Sequence, residues 1–374
     1  MTVSVRIGVD MGGNDIKFGA TNLDADQILL DELVKRPSLT AEGPQKTAAQ
    51  MIDGISVVME QLGKTWSDLA DISMTVPCPC TPDGVIIQAP NLGTAETKDL
   101  WKVPFGELLS AAIKETHDVD IPVFACNDAN AAGQDDDFAR FGLDATPRSS
   151  VFITTGTGVG GCVIINGSVF FGCGQAGELG HVKPAVPAQY AERFGADTNP
   201  PCGCTGNQCV EARASLTGLK RRIQWALSDD GVALISKQLN QNGEAVNNNV
   251  VDQLRTFLAE SAQVAAYNVR TFADRDQDPF CPWLLEDWGI MIGVRFANIA
   301  PILHPNLLVI GGGMTELSAS AKDWFINIVR RAYSEVNGQP CFDSNTNDCE
   351  IAWSVSQDQG WRGAILMGIR AQQS

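Results

Sequence analysis

The chain has 374 residues, of which 44% are hydrophobic and 19% charged, and its formal net charge is −17. A chain this long can bury a large core and sets an expectation of two domains. No apolar run in it is long enough to span a membrane, and so acidic a surface repels a polyanion such as DNA.

In chain order, Val5 to Val9 is a short apolar run ending in Asp10, followed by Met11-Gly12-Gly13-Asn14-Asp15 and a second apolar run, Ile16 to Ala20. Two strands joined by a glycine turn fit this pattern. Pro44 to Leu62 has helical period, and Asp71 to Val76 reads as a buried strand. Residues 77–84, Pro-Cys-Pro-Cys-Thr-Pro-Asp-Gly, form a loop. Pro122 to Cys126 is a strand pointing at Asn127-Asp128, and Ala129 to Ala139 is helical. Val151 to Thr155 opens a second strand–glycine-turn–strand unit through Gly156-Thr157-Gly158-Val159-Gly160-Gly161 into Cys162 to Ile165. Asn166-Gly167 then makes a tight hairpin to a strand at Val169-Phe170-Phe171. The two units lie about 145 residues apart and predict two related halves. Val251 to Leu303 is mostly helical, with an interruption around Asp274 to Pro282. Leu307 to Ile310 is a strand broken by Gly311-Gly312-Gly313; a helix near Ser318 to Tyr333, a strand at Ile351 to Val355 and a closing helix from Trp361 to Arg370 follow.

Gly156, Gly158 and Gly161 match the dinucleotide fingerprint, but that motif needs a helix directly after the glycines. Here β-prone residues follow, which excludes a Rossmann site. Gly63-Lys64-Thr65 is not a Walker A loop, because Val58 stands where its first glycine belongs. Each glycine turn is either a plain hairpin or a cradle whose bare N–H groups face phosphate oxygens. Asp10 at the first turn and the glycine cluster at Gly311 favour phosphate, with the aspartate serving Mg²⁺.

Cysteine occurs 11 times, an odd number. The N-terminal stretch Met1 to Arg6 lacks the apolar segment of a signal peptide, so the expectation is a cytoplasmic protein with reduced thiols and a metal site rather than a disulfide framework. Cys202, Cys204 and Cys209, with His181, offer the three-sulfur, one-nitrogen set of a closed zinc site. Buried thiols or an iron–sulfur site are the alternatives. A closed site has no open position, so this zinc would be structural and would pin the loop carrying Glu211 and the ring of His181. Cys78 and Cys80 read as small packing residues in a proline loop.

Asp128 can accept a proton from a substrate hydroxyl and Asn127 can fix neighbouring hydroxyls, although both residue types also favour a helix N-cap. Glu178 and Glu211 each sit close to an expected metal ligand. Of the other histidines, His117 is expected to face solvent and His304, before Pro305, to pack.

Together these residues resemble the ROK family, which contains bacterial sugar kinases and sugar-responsive repressors. Asp10-Met11-Gly12-Gly13 is similar to its first phosphate loop, Pro90-Asn91-Leu92 to a sugar-side motif, and residues 127–132, Asn-Asp-Ala-Asn-Ala-Ala, to its catalytic segment. Residues 155–161 resemble the second phosphate loop. Glu178-Leu179-Gly180-His181 with residues 202–211 matches the family signature, and Gly311-Gly312-Gly313 the adenosine motif. The resemblance implies an α/β chain with two actin-like ATPase (ribonuclease H-like) domains closing over a cleft: 1–126 with the C-terminal helix of about 357–374, and 127–356 with the zinc loop. It implies ATP, Mg²⁺ and structural Zn²⁺, with phosphate moved to a sugar hydroxyl. Asp128 would be the general base. Asn91, Asn127, Glu178, His181 and Glu211 would hold the sugar, with one imidazole nitrogen of His181 on zinc and the other toward the sugar. Asp10, Gly12, Gly13, Asn14, Thr155, Gly156, Thr157, Gly158 and Gly311 to Gly313 would hold the nucleotide and its metal.

The chain departs from the family pattern in places. Cys78 replaces a glycine between prolines, Cys80 is atypical, and Asn14-Asp15 replaces a commoner Thr-Lys pairing. The interval from His181 to Cys202 is long, and the stretch around Asp274 to Trp288 is unusual. A glucokinase is the first reading, with fructose or an N-acetylated amino sugar as alternative acceptors. A sugar-sensing regulator is the rival from another class, opposed by the nine residues before Asp10 and by the charge. A homodimer or homotetramer is expected, with no nucleic acid or membrane partner.

Overall fold

The computed structural model describes residues 4–81, 85–87, 89, 92–142, 148–194, 199–275, 278–338, 349–356 and 360–373. The chain divides into two compact units. The first comprises Met1–Arg148, Cys162–Gly177 and Val355–Ser374; the second comprises Ser149–Gly161 and Glu178–Ser354.

The chain opens with β1 (Val5–Met11), β2 (Asp15–Thr21), β3 (Val34–Pro37), α1 (Pro44–Gln61), β4 (Leu69–Val76), α2 (Phe105–His117), β5 (Val123–Asn127) and α3 (Asp128–Phe141). These strands form one sheet in the order β3-β2-β1-β4-β5. β1 pairs antiparallel with β2 and parallel with β4, which pairs parallel with β5. β1 and β4 are buried along nearly their whole length, as expected of central strands covered on both faces. α1 starts on Pro44, whose missing N–H is no loss in a first turn. Its Met51, Ile55, Val58 and Met59 lie on one face and are buried in the core.

Next come β6 (Ser149–Thr155), β7 (Val159–Ile165), β8 (Ser168–Val169), α4 (Ala191–Phe194), α5 (Glu211–Ala214), α6 (Leu216–Ala226), α7 (Asp229–Gln241), α8 (Asn248–Glu260), α9 (Ala262–Arg275) and α10 (Phe280–Leu303). The chain closes with β9 (Leu307–Gly312), α11 (Ala319–Asn337), β10 (Glu350–Trp353) and α12 (Gly360–Gln373). The second sheet has the order β10-β9-β6-β7-β8. β6, β9 and β10 run parallel and β7 pairs antiparallel with β8. The plan of the first sheet is therefore repeated, with a hairpin at one side and parallel strands added at the other. This α/β architecture is the one expected from the sequence.

Two features of the first unit fix the helix that carries Asp128. Gly8 and Gly19 face each other across β1 and β2. A Cβ on Gly8 would stand 2.2 Å from the Trp361 carbonyl oxygen, and one on Gly19 would stand 2.4 Å from its indole. Only a bare backbone lets α12 approach this closely, and truncating so well buried a ring typically costs roughly 3–5 kcal/mol. In α3 the consecutive Asp135, Asp136 and Asp137 are all buried. Each has its own arginine: Arg362 at 2.5 Å, Arg140 at 2.7 Å and Arg148 at 2.6 Å. Buried carboxylates persist only when paired in this way. Asp136 Oδ1 also accepts the Val355 N–H at 2.7 Å, and Ser356 Oγ donates to Asp135.

Four local expectations need correction. The strand expected over Val169-Phe170-Phe171 ends at Val169, because Gly172 (φ 55°) and Gly174 (φ 105°) turn the chain. Gly311 and Gly312 belong to β9, and the break comes at Gly313. His117 is half-buried and stacks on Trp66 at 4.1 Å. His304 is exposed; it caps α10 in the left-handed conformation (φ 44°) and donates its N–H to Ala300.

Candidate active site and metal centre

In the second unit, residues 202–209 form a knuckle. Cys202 N–H donates to Gly206 O at 3.0 Å and Thr205 N–H to Cys202 O at 3.1 Å, while Thr205 (φ 68°) and Gln208 (φ 58°) turn left-handed. The knuckle brings Cys202, Cys204 and Cys209 to His181, and ligand atoms of all four lie within 4.8 Å of one another. Cys204 Sγ is 3.7 Å from Cys209 Sγ, and Cys202 Sγ is 3.5 Å from His181 Nδ1. A zinc tetrahedron with ordinary Zn–S and Zn–N bonds has edges of roughly 3.8 Å between sulfurs and roughly 3.5 Å between sulfur and nitrogen. Donor type and spacing both fit.

The same cluster gathers two carboxylates. Glu178 Oε2 lies 4.0 Å from His181 Nε2, the nitrogen turned away from the sulfurs, and Glu211 Oε1 lies 4.0 Å from Nδ1. Glu211 Oε2 accepts the Val159 N–H at 2.9 Å, which ties the knuckle to the glycine turn between β6 and β7. Burial pushes the Glu178 carboxyl up from its ordinary value; His181 opposes this and Glu211 adds to it. Gly180 seats the segment, since a Cβ there would stand 2.0 Å from Val159 O.

The β6–β7 turn has its carbonyls engaged from behind. Leu216 N–H donates to Gly156 O at 2.9 Å, and Thr217 Oγ1 donates to Thr157 O at 3.0 Å. Oxygens that would repel a phosphate are thereby held by the first turn of α6. The β1–β2 turn in the first unit uses the same device. Gly13 O accepts from Ser38 Oγ at 2.6 Å and Thr40 Oγ1 at 3.1 Å, and Asn14 O accepts from Ser38 N–H at 2.8 Å. Gly12 N–H closes the turn on Asp15 O at 2.8 Å, and Asp15 itself is exposed. Asp10 is held by Thr75 Oγ1 at 2.9 Å and faces Lys17 Nζ at 3.3 Å.

A cleft of about 400 Å³ in the second unit is lined by Thr155, Gly156 and Thr157 at one side and by Gly313, Met314 and Glu316 at another. It unites the second glycine turn with the third glycine cluster. Of that cluster only Gly313 reaches the cleft: Gly311 lies against the Phe152 ring and Gly312, at φ 80°, against Thr155 O. The remaining lining, including Leu216, Tyr267, Arg270 and Trp288, carries no motif and was missed from sequence. Arg270 is tied down by Gly313 O at 2.9 Å and Glu316 at 2.9 Å.

In the first unit, Asn127 is the N-cap of α3. Its Oδ1 accepts from Ala129 N–H at 2.9 Å and Asn130 N–H at 3.3 Å, while Nδ2 donates to Cys78 O at 3.3 Å. The bland reading of Asn127 therefore holds alongside any role with substrate, and Cys78 and Cys80 are buried as expected. Asp128 is exposed at the start of α3, with Oδ1 accepting its neighbour's N–H at 2.8 Å. Asn91 and Pro90 lie outside the described residues.

Among the described residues no helix is long and apolar enough to cross a membrane. The chain is 28% identical over 313 residues to a glucokinase of Halalkalibacterium halodurans, covering 83% of this chain and 80% of that one. It is 24% identical over 316 residues to an N-acetyl-D-glucosamine kinase of Histophilus somni, covering 82% and 83%. It is similar in fold to the crystal structure of a ROK family glucokinase from Streptomyces griseus in complex with glucose and AMPPNP: the TM-score is 0.66 at 20% identity, over 99% of this chain and 100% of that one. The ROK family model matches residues 6–370. The chain therefore belongs to the ROK family.

Proposed function

We propose that this protein is an ATP-dependent sugar kinase and that glucose, converted to glucose 6-phosphate, is its acceptor. The observation that carries the reading is the gathering of Glu178, His181 and Glu211 around a four-ligand metal site, with Glu211 bonded to the backbone of the glycine turn at 2.9 Å. Two carboxylates and an imidazole offer the mixture of donors and acceptors that a polyhydroxylated ring needs. The cleft beside that turn supplies room for a nucleotide.

The roles follow from chemistry. Asp128 accepts the proton of the attacking hydroxyl. His181 presents Nε2 to the sugar while Nδ1 faces the cysteine ligands, and Glu178 and Glu211 accept from sugar hydroxyls. Zinc, when bound by His181, Cys202, Cys204 and Cys209, supplies rigidity to the segment that carries these groups. Backbone N–H groups of the two glycine turns other than those of Gly12, Gly156 and Val159, which are bonded within the protein, hold phosphate oxygens, and Asp10 would hold a magnesium ion, which when bound would supply charge neutralisation. Phosphoryl transfer asks mainly for such positioning and charge stabilisation.

The test is ADP release by the purified protein with ATP and Mg²⁺, alone and with glucose, fructose, mannose, N-acetylglucosamine or N-acetylmannosamine. The expected result is release that depends on sugar, with the highest kcat/KM for glucose. An N-acetylated sugar in first place overturns the acceptor and leaves the kinase. Release that no sugar stimulates overturns the kinase in favour of a sensor.

A further inference from the structure

Two stretches depart from the family pattern: the long interval between His181 and Cys202, and the stretch from Asp274 to Trp288. The fold brings them together. Tyr190 and Arg193 from the first, and Trp283 and Glu286 from the second, line one groove of about 890 Å³ in the second unit, and residues of α7 and α11 complete it. Its volume is more than twice that of the 400 Å³ cleft beside the glycine turn. Leu285 and Trp288 of α10 line that cleft, whereas Pro282 and Glu286, on another face of the helix, line the groove. The groove is built on a buried ion network. Arg193 donates to Glu286 at 2.7 Å and to Asp287 at 2.5 Å, and Arg222 donates to the other Asp287 oxygen at 2.9 Å. The Arg193 guanidinium lies 4.0 Å over the Trp283 ring, whose Nε1 donates to Gln238 Oε1 at 3.1 Å. Arg331 donates to Glu286, and the Tyr190 hydroxyl to Glu335. Bonds of this kind fix the lining before a ligand arrives.

The lining narrows what that ligand offers. Both of its arginines are committed to carboxylates, and Glu192, Glu244 and Glu335 add negative charge, of which Lys237 meets Glu192 at 2.7 Å. Such a lining repels an anion, which excludes nucleotides and phosphorylated sugars. It is not a metal site: among the described residues the only group of convergent metal ligands is the one at His181. Gln189, Gln238, Gln241 and Asn242 give the groove four carboxamides, each pairing an acceptor oxygen with a donor nitrogen. A hydroxyl likewise does both, whereas an organic ammonium only donates and would strand the amide N–H groups. Trp324 lines the groove half-buried and offers an apolar surface to the C–H face of a pyranose. The volume lies near the top of the roughly 300–1,000 Å³ of ligand pockets, which admits several sugar rings.

We propose that this groove is a second carbohydrate site, separate from the cluster at His181, and that it binds a neutral oligosaccharide. The proposal does not rest on the kinase reading, and its test needs no ATP. The full chain is titrated with maltotetraose, cellotetraose, mannotetraose and spermidine, followed by ligand-observed NMR. One tetrasaccharide is expected to bind with a dissociation constant in the millimolar range or tighter. Trp324→Ala should weaken it about 10-fold, the value of a lost ring contact. The double variant Gln241→Ala/Asn242→Ala should weaken it about 5- to 100-fold, for two lost hydrogen bonds. Both of these residues are exposed at the end of α7, so the test survives a Trp324→Ala that fails to fold. Glu178→Gln, outside the groove, should bind the tetrasaccharide as the natural protein does. Binding that the double variant leaves unchanged, or that Glu178→Gln abolishes, places the oligosaccharide elsewhere and overturns the proposal. So does a natural protein that binds none of the three, or that binds spermidine in their place. A tetrasaccharide held in the groove by a protein that phosphorylates no sugar sustains the proposal while sinking the kinase.

Discussion

Replacing Gly180 by alanine tests whether the sugar-side segment must lie flat on β7. The added Cβ would stand 2.0 Å from Val159 O and 2.9 Å from Val159 C. Ordinary contact requires the two backbones to separate by about 1 Å or more, and neither is a flexible side-chain end. Overpacking of this kind costs about 1–3 kcal/mol, or a melting temperature lower by about 2–10 °C for a unit of this size. The functional cost is larger. Gly180 lies between Glu178 and His181, and Val159 N–H is the donor that holds Glu211, so all three proposed sugar ligands shift. A displacement of about 1 Å at a reacting centre costs on the order of 100-fold in rate. Steady-state kinetics with glucose should therefore show kcat/KM reduced about 100-fold. The control is Gly243→Ala: a Cβ there has nothing within 4 Å, and with φ 77° the substitution strains only its own turn. It should lose about 1 kcal/mol of stability and no activity. If Gly180→Ala melts and turns over as the natural protein does, the close seating of this segment plays no part in function.

Asp128→Asn should reduce kcat by roughly 10²–10⁴-fold while leaving glucose affinity within a few-fold. The helix cap belongs to Asn127, so its melting temperature should barely move; near-normal turnover would remove Asp128 from its role. Cys204→Ser should cut the metal content, read by atomic emission, from one zinc per chain to a small fraction and raise the KM for sugar. Full metal content in the variant would place the ion elsewhere. Asp137→Asn breaks a buried pair in which Arg148 donates Nη2 at 2.6 Å and Nε at 3.0 Å. Removing one partner of such a pair costs about 3–5 kcal/mol, measurable by urea unfolding, and a loss below about 1 kcal/mol would show that the pair is well solvated.

What the sequence disclosed and what it concealed divide along the range of the interactions. Both glycine hairpins were legible because apolar runs and glycine turns are local. The metal knuckle was legible because three cysteines within eight positions have few other uses where reduced thiols are expected. The long-range ties were not. Nothing local announces that Glu211 bonds Val159, 52 positions away, or that Trp66 stacks on His117. Trp288 sits in a helix so uniformly buried that no apolar face stands out, and the cleft it borders is assembled from β6, α6, α9, α10 and the segment after β9. Asn127 shows the opposite case: an N-cap residue was legible, but the bond from its Nδ2 to Cys78 required the fold.

The most direct measurement follows both products at once. ³¹P NMR of the protein with ATP, Mg²⁺ and glucose should show ADP and glucose 6-phosphate growing in a one-to-one ratio, with no inorganic phosphate. ADP accompanied by inorganic phosphate alone, or an unchanged ATP spectrum, would contradict phosphoryl transfer to a sugar by this site.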